Sequence, residues 1–160
     1  MGIRLSEDLR TALRDPASLK VIAGVNRAGE PHVVFKEAIS MDSEGRNLQC
    51  LELLETSQTN RNLTHSLWFQ RKIAVNVLHP KGRSWQIKGL PVKVHISGPL
   101  FEEQYIAVRN RLGPEADLSA VWIIEPLEEK EQTYLVRLRE ERLHYPLVGH
   151  LDRFTRAFQC

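Results

Sequence analysis

The amino-acid sequence predicts a mainly β (α+β) protein, a small antiparallel β-barrel whose ends are covered by short helices. Two observations lead to this prediction. First, three apolar, β-branched segments follow one another early in the chain with only turns between them, which disfavours a doubly wound parallel sheet. Second, six or seven such segments and two or three helical patterns are spread along the 160 residues, as in a closed antiparallel sheet with helices at its ends.

Length and composition indicate one domain over residues 1–160, with an N-terminal helix in 1–15 and a C-terminal tail in 140–160. We expect that tail to pack on the barrel or on a partner subunit. The 22 basic and 20 acidic residues leave a net charge of +2, which does not indicate a nucleic-acid partner. Neither signal-peptide nor membrane-spanning apolar runs are found, so we expect a cytoplasmic protein with no membrane partner.

The two cysteines, Cys50 and Cys160, have no CxxC partners, so neither a zinc site nor a disulfide framework is expected. Cys50 lies in an apolar run and is interpreted as a small buried hydrophobe rather than a nucleophile. The histidines show no HxH or HExxH spacing, and we expect no metal site. GxSxG, Walker and GxGxxG motifs are also absent, so hydrolase, nucleoside-triphosphatase and classical nicotinamide-binding functions have no motif to support them.

The first third of the chain is predicted as a helix followed by a β-meander. Ser6 is a plausible N-cap for a helix that ends near Asp15-Pro16. Its apolar face is formed by Leu5, Leu9, Ala12 and Leu13. The strands are predicted over Leu19–Val25, Pro31–Ile39 and Leu48–Leu54, with Gly29 in the first turn.

The rest of the chain alternates predicted helices and strands. A helix capped by Thr56 or Ser57 carries an apolar stripe of Leu63, Leu67 and Trp68. A second helix, Phe101–Leu112, is expected to turn Tyr105, Ile106, Val108 and Leu112 inward. Strands are predicted over Lys72–Leu78, Ser84–Ile96, Ala120–Leu127 and Thr133–Leu138, with a bulge at Gly89-Leu-Pro91. The segment Gly149–Phe158 is short and amphipathic, with Leu151, Phe154 and Phe158 as possible anchors.

Three places carry polar residues in unusual positions. The first is Phe35-Lys36-Glu37, which interrupts an apolar strand. A lysine inside a barrel strand is costly unless it meets an anion or reaches solvent. A ligand contact and an outward-facing charge pair both remain open for this segment.

The second place is the helix start Thr56-Ser-Gln-Thr-Asn-Arg-Asn62. Backbone N–H groups at a helix N-terminus are unpaired and partly positive, and hydroxyl side chains can add hydrogen bonds to a phosphate. Simple capping needs only one such side chain, so the cluster favours anion binding. The third place is Gln86 and Lys88, which share one face of a strand opposite Trp85 and Ile87. They could meet a planar heterocycle or simply face solvent.

These features, in this order, resemble the FMN-binding split-barrel proteins of the pyridoxamine 5′-phosphate oxidase-like family. The resemblance covers about residues 15–127. It begins with the hairpin Val21-Ile-Ala-Gly-Val-Asn-Arg-Ala-Gly-Glu-Pro-His32. It continues with the hydroxyl-rich helix start at Thr56-Ser-Gln-Thr59, the strand Ile73-Ala-Val-Asn-Val77 and the element Gln86-Ile-Lys88-Gly89.

The resemblance implies a split antiparallel barrel that binds FMN at a homodimer interface. Thr56, Ser57 and Thr59 would meet the phosphate region, and Asn62 would be a supporting or binding polar group. Phe35 and Lys36 would lie along the flavin, while Gln86 and Lys88 would reach its polar edge or phosphate. The complete set of implied cofactor-binding residues is Phe35, Lys36, Glu37, Thr56, Ser57, Gln58, Thr59, Asn62, Gln86 and Lys88.

One departure from the family pattern limits the functional prediction. Gln58-Thr59 stands where pyridoxamine phosphate oxidases carry an Arg-Lys pair, and their substrate-phosphate residues are not recognisable. Vitamin B6 oxidation is therefore not expected. The prediction is an FMN-binding flavoprotein, an oxidoreductase of unknown substrate with no catalytic residue assigned. The alternatives are a non-catalytic flavin-binding or electron-transfer protein, a split barrel that uses a deazaflavin or haem, and a barrel that has lost its cofactor.

Overall fold

The computed structural model of the protein describes residues 2–146, and within them seven strands and four helices follow one another along the chain. Their bounds are α1 (Glu7–Arg14), β1 (Leu19–Val25), β2 (Pro31–Phe35), β3 (Ile39–Met41), β4 (Leu48–Glu52), α2 (Gln58–Phe69), β5 (Ile73–Leu78), β6 (Ser84–His95), α3 (Pro99–Leu112), β7 (Ala120–Glu131) and α4 (Tyr134–His144).

The seven strands form one antiparallel sheet in the order β2-β1-β5-β6-β7-β4-β3. Its two edge strands, β2 and β3, are consecutive in the chain and are joined by residues 36–38 alone. Because so short a connection cannot cross a flat sheet, the sheet must curl until its edges meet. The predicted split antiparallel barrel is confirmed.

Hydrogen bonds from side chains and backbone close the seam between the two edges. The Lys20 ammonium on β1 donates to the carbonyl oxygens of Ile39 (2.8 Å) and Glu37 (3.3 Å). Across the same seam the Leu51 amide donates to the Ala38 carbonyl at 3.0 Å. Burial lowers the pKa of Lys20, and the nearby Glu37 charge acts in the opposite direction.

The barrel interior is filled by the inward-facing side chains of the sheet and by one face each of α1 and α2. Helix α1 contributes Leu9, which is fully buried, and α2 contributes Leu63, which is 1% exposed. The Trp122 indole on β7 donates to Asn60 Oδ1 on α2 at 2.9 Å, which holds the start of α2 against the barrel. The predicted N-cap Ser6 and apolar face of α1 are confirmed.

Strand β6 bends where the sequence predicts a bulge. Its pairing with β7 shifts register between Lys88 and Gly89 and again between Pro91 and Lys93. A side chain at Gly89 would place its Cβ 2.6 Å from the Glu125 carbonyl oxygen, so only glycine permits this close approach of β6 and β7.

Three predicted strands are wrong in extent or type. The segment Pro31–Ile39 is not continuous, because β2 ends at Phe35 and residues 36–38 turn across the seam. The third strand ends at Glu52 rather than Leu54. The segment Thr133–Leu138 is not a strand but the start of α4, because β7 already runs to Glu131 and the following Leu, Arg and Glu residues are good helix formers.

The apolar stripes of two helices also differ from the prediction. Leu63 and Leu67 face the core, but Trp68 is 77% exposed. At 3.6 residues per turn Trp68 lies about 140° around the helix from Leu63, so the two cannot share one face. On α3, Val108 is buried and Tyr105 partly so, whereas Ile106 and Leu112 are more than half exposed.

The C-terminal part of the chain is described only as far as residue 146. The predicted amphipathic segment Gly149–Phe158 and the rest of the 140–160 tail beyond α4 lie outside the described residues. In residues 2–146, no helix combines the length and the apolar character needed to cross a membrane.

The orientation of α2 can be tested by comparing two truncations on neighbouring faces. We expect Leu63→Ala to lower the free energy of unfolding by ~2–5 kcal/mol, because it empties a fully packed site. Trp68→Ala removes a larger side chain but should change it by less than ~0.5 kcal/mol, because that side chain is exposed. Urea unfolding monitored by circular dichroism measures both, and equal losses would contradict the orientation described.

Candidate functional site

The N-terminus of α2 combines free backbone donors with polar side chains. Ser57 is the N-cap, and its Oγ accepts the Asn60 N–H at 3.0 Å. The first hydrogen bond of the helix runs from the Arg61 N–H to the Ser57 carbonyl, so the N–H groups of Gln58 and Thr59 have no partner within the helix. No acidic residue lies in the first turn, so the partial positive charge of this helix end is not neutralised by its own residues.

Asn62 lies one turn further along α2 and is 3% exposed. Its Oδ1 accepts a hydrogen bond from Gln58 Nε2 at 2.8 Å, while its Nδ2 is buried and has no hydrogen-bond partner. The Nδ1 atom of His65 is likewise buried without a partner. Unsatisfied buried polar atoms cost free energy, and two of them on one helix face indicate a place that a ligand or water completes.

A groove of about 610 Å³ runs between α2 and the β1–β2 turn, and Asn62 and His65 are among its lining residues. Two arginines on its walls, Arg27 and Arg61, form no ion pair within residues 2–146. The complete lining is Asn26, Arg27, Ala28, Gln58, Arg61, Asn62, Thr64, His65, Trp68 and Phe69, which includes no carboxylate.

Lys36 turns inward at the seam, where its ammonium lies 2.7 Å from Glu52 Oε2. Glu52 is 2% exposed, so the outward-facing charge pair considered for Phe35-Lys36-Glu37 is wrong: Lys36 pairs with a buried carboxylate on β4. Glu37 itself is exposed in the turn. Burial raises the pKa of the neighbouring Cys50 thiol to about 12, which keeps it protonated and confirms the interpretation of Cys50 as a buried hydrophobe.

The remaining candidate residues lie on the convex face of the sheet. Phe35, Val21, Asn76 and Gln86 form one cross-strand row, and Lys88 lies in the adjacent row. With strands about 4.8 Å apart, Phe35 and Gln86 are about 14 Å apart along that row. Phe35 is 72% exposed, so this face presents a large aromatic ring to its surroundings.

Lys88 belongs to a small charged cluster on this face. Its ammonium lies 3.9 Å from Glu128, which also forms an ion pair with Lys72. The hydrogen bond from Lys72, with a smaller contribution from Lys88, holds the pKa of the Glu128 carboxyl below its ordinary value. Both lysines are about half exposed, so these pairs are screened and contribute little to stability.

The structure therefore divides the sequence-predicted residues between two faces of the sheet. Thr56, Ser57, Gln58, Thr59 and Asn62 lie together at the start of α2, which packs on the concave side. Gln86 and Lys88 point away from the opposite, convex side. No group of three or more His, Cys, Asp or Glu side chains that could hold a metal ion occurs in the part of the chain described.

Solved structures with this architecture were found, although no protein-family model and no curated protein matches the sequence. HupZ from Group A Streptococcus superposes with a TM-score of 0.67 at 16% identity, over 81% of this chain and 95% of that one. An FMN-binding protein from Syntrophomonas wolfei gives a TM-score of 0.63 at 12% identity, over 77% and 82% of the two chains. A putative pyridoxamine 5′-phosphate oxidase from Listeria innocua gives 0.60 at 17% identity, over 79% and 98%.

The chain has the split-barrel fold of the pyridoxamine 5′-phosphate oxidase-like proteins. Split-barrel proteins named for molecules other than FMN superpose as well. An F420 reductase does so with a TM-score of 0.60 at 18% identity, covering 79% of this chain and 98% of that one. HutZ, the heme storage protein from Vibrio cholerae, does so with 0.57 at 12% identity, covering 80% and 94%. The fold is thus common to proteins named for three different cofactors.

Within this split barrel, several residues of the α2 groove were not found by the sequence reasoning. Arg61, His65 and Trp68 follow one another at three- and four-residue spacing, which is the signal of a shared helix face. The apolar stripe prediction placed Trp68 on the wrong side and hid this pattern. Arg27 and Glu52 had no such signal. Arg27 lies in the β1–β2 turn, which the fold brings to α2, and Glu52 lies on β4, which the fold brings to Lys36.

The buried ion pair at the seam can be tested by removing one charge or both. We expect Lys36→Met to destabilise the fold by ~3–5 kcal/mol, because it leaves the Glu52 carboxylate buried and unpaired. The double variant Lys36→Met/Glu52→Leu should recover most of that loss. Denaturant unfolding of the three proteins measures the coupling, and additive losses in the double variant would show that the two side chains do not depend on each other.

Proposed function

We propose that the protein is an FMN-binding flavoprotein, an oxidoreductase that holds its cofactor between the two subunits of a homodimer. The observation that carries the proposal is the start of α2. In a fold shared with a protein named as FMN-binding, it offers unpaired N–H groups, hydroxyl side chains and no carboxylate. This combination suits a phosphate group, because the helix end and its donors both favour negative charge.

The phosphate would lie against Thr56, Ser57, Gln58 and the backbone N–H of Thr59, whose side chain is buried. Two neighbouring groups support an anion here: Asn62 accepts the Gln58 side chain through its Oδ1, and Arg61 in the first turn of the same helix adds positive charge. They would act where pyridoxamine phosphate oxidases have an Arg-Lys pair in place of Gln58-Thr59. The residues present therefore fit a phosphate-bearing cofactor.

Lys36 would act as a positioning residue. Its charge is engaged by Glu52, so its ammonium holds the seam beside the β2 end that presents Phe35 and Glu37. Phe35 is exposed on the same convex face as Gln86, so it would pack along the ring of the cofactor that the partner subunit holds. The seam thereby fixes the backbone from which the cofactor-facing side chains project.

The division of the candidate residues between two faces supports the proposal of a second subunit. Gln86 and Lys88 lie on the convex face and cannot reach the molecule held at the start of α2 in their own chain, so they would meet the cofactor of the partner. The same face exposes large apolar side chains, as an interface in a dimer would. They are Leu19 (54%), Val33 (63%), Phe35 (72%) and Leu78 (45%).

The bound flavin would supply the redox chemistry, and the chain would orient it and shield it from water. Two alternative cofactors have support from the comparisons, because an F420 reductase and a heme storage protein share the fold. A flavin-binding protein without a substrate is the non-catalytic alternative. Only two cysteines occur in the sequence, in keeping with a cytoplasmic location.

The phosphate site can be tested by changing Gln58 to Glu. The added carboxylate repels a phosphate but suits a helix N-terminus, and by accepting the Asn62 amide N–H₂ it can replace the bond that Gln58 donates to Asn62. We expect FMN, followed by its band near ~450 nm, to bind about ten-fold more weakly to this variant, while riboflavin, which lacks the phosphate, changes by less than about two-fold. The control is Asn110→Asp on α3, an exposed amide that lines neither the α2 groove nor the pocket beside Phe35, and this variant should bind FMN like the unchanged protein.

Parallel titrations with F420 and hemin distinguish the alternatives. Tight uptake of FMN and weak uptake of the other two supports the proposal. A colourless protein that takes up no FMN contradicts the proposal. If F420 or hemin binds more tightly than FMN, that molecule is the cofactor instead.

The two-chain site can be tested by mixing complementary variants. Gln58→Glu damages the α2 side of each site, and Lys88→Glu damages the convex side. In a mixed dimer one site carries both changes and the other carries neither, so an equal mixture should regain about a quarter of the unchanged FMN capacity. Light scattering gives the oligomeric state. A monomer at micromolar concentration, or no recovery on mixing, contradicts the shared site.

A further inference from the structure

We infer that the groove between α2 and the β1–β2 turn binds a planar aromatic anion. The inference deepens the proposed function, since it names the class of molecule that a flavin held at the start of α2 would meet, and it rests on that function only for the role of the molecule as substrate. The binding itself is argued from the shape, the aromatic lining and the charge of the groove.

The groove has the size and walls of a small-molecule site. Its volume of about 610 Å³ falls within the range of sites for drug-sized ligands. Trp68 and Phe69 are 77% and 60% exposed, and large aromatic side chains are costly to leave in water at such exposure. The rings of His65 and Phe69 lie 4.7 Å apart and are tilted by 43° to each other, so two neighbouring aromatic rings line the same wall. These features favour a flat ring as the occupant.

The charge of the groove favours an anion. Arg61 enters from α2 and Arg27 from the opposite β1–β2 turn, and no carboxylate lines the space between them. The nearby Glu30 is engaged by the Asn26 side chain at 2.6 Å. A guanidinium can form two parallel hydrogen bonds to a carboxylate, and it can also stack on an aromatic ring. The arginines could therefore bind both the charged group and the ring of an aromatic anion.

The donors accessible to a ligand in the groove are the two arginines. Asn62 also lines the groove, but its Oδ1 is occupied by Gln58 and its Nδ2 is buried beside Gly24 of β1. Gln58 lines the groove and begins the proposed phosphate site, so the groove and the cofactor site are contiguous.

Trp68 provides a direct readout of occupancy. The chain has three tryptophans, and Trp85 and Trp122 are 3% and 2% exposed, so the neutral quencher acrylamide reaches Trp68 almost alone. The probe is naphthalene-2-carboxylate, and the matched neutral probe is naphthalene-2-carboxamide. We expect saturable protection of Trp68 by the carboxylate, confirmed by calorimetry, with at least about ten-fold weaker binding of the carboxamide.

Two variants test the arginines. Arg61→Gln and Arg27→Gln should each weaken carboxylate binding at least about five-fold while leaving the carboxamide unchanged. Arg139→Gln on α4 is the control, since Arg139 is exposed, lies outside the groove and the pocket beside Phe35, and has no ion pair in residues 2–146. Because Arg27 lies in a turn and Arg61 on a helix, misfolding of one variant leaves the other as the test.

The titrations are run on protein with and without saturating FMN, which separates this inference from the proposed function. If the protein binds the carboxylate but takes up no FMN, the proposed flavin function is wrong and the inferred anion site stands. Equal binding of carboxylate and carboxamide, or loss of carboxylate binding on saturation with FMN, overturns the inference. Protection of Trp68 that rises with protein concentration alone also overturns it, because a second copy of the chain then covers the groove.

Discussion

The connection across residues 36–38 is the constraint on which the rest of this molecule depends. It joins the two edge strands of a seven-stranded sheet and therefore forces the sheet to close on itself. The seam that results is held by polar groups: Lys20 donates to two carbonyl oxygens, and Lys36 pairs with Glu52. Both lysine ammonium groups lose part of their hydration at the seam. In return, their hydrogen bonds and the ion pair hold the two edges of the sheet in a fixed position.

Closure of the barrel determines where α2 can lie. Leu63 inserts into the concave side, and the Trp122 indole binds Asn60, so the polar start of the helix is held at the barrel rather than free in solvent. The opposite face of the helix then carries Arg61, His65 and Trp68 toward the β1–β2 turn. The packing of Leu63 thus positions both the start of α2, which is suited to an anion, and the groove beside it.

The comparisons give the fold and leave the cofactor to be decided by side chains. Proteins named for FMN, F420 and heme all superpose on this chain at identities of 18% or less. The first turn of α2 lacks acidic residues and has spare donors, and this is the basis on which a phosphate-bearing flavin is proposed here. The exposed apolar convex face and the placement of Gln86 and Lys88 on it are the physical basis for proposing a dimer.

The sequence by itself determined the antiparallel barrel class, the capped α1, the bulge near Gly89 and the hydroxyl-rich start of α2. These depend on local patterns: alternation, glycine where two backbones approach closely, and side chains that satisfy nearby backbone groups. Only the tertiary structure decided that Lys36 meets Glu52, that Trp68 faces outward and that Arg27 joins Arg61 across a groove. Such contacts join residues distant in sequence or depend on which helix face the barrel covers, and local periodicity carries no information about either. For the same reason the α4 segment was taken for a strand, since only the length of β7 leaves it outside the sheet.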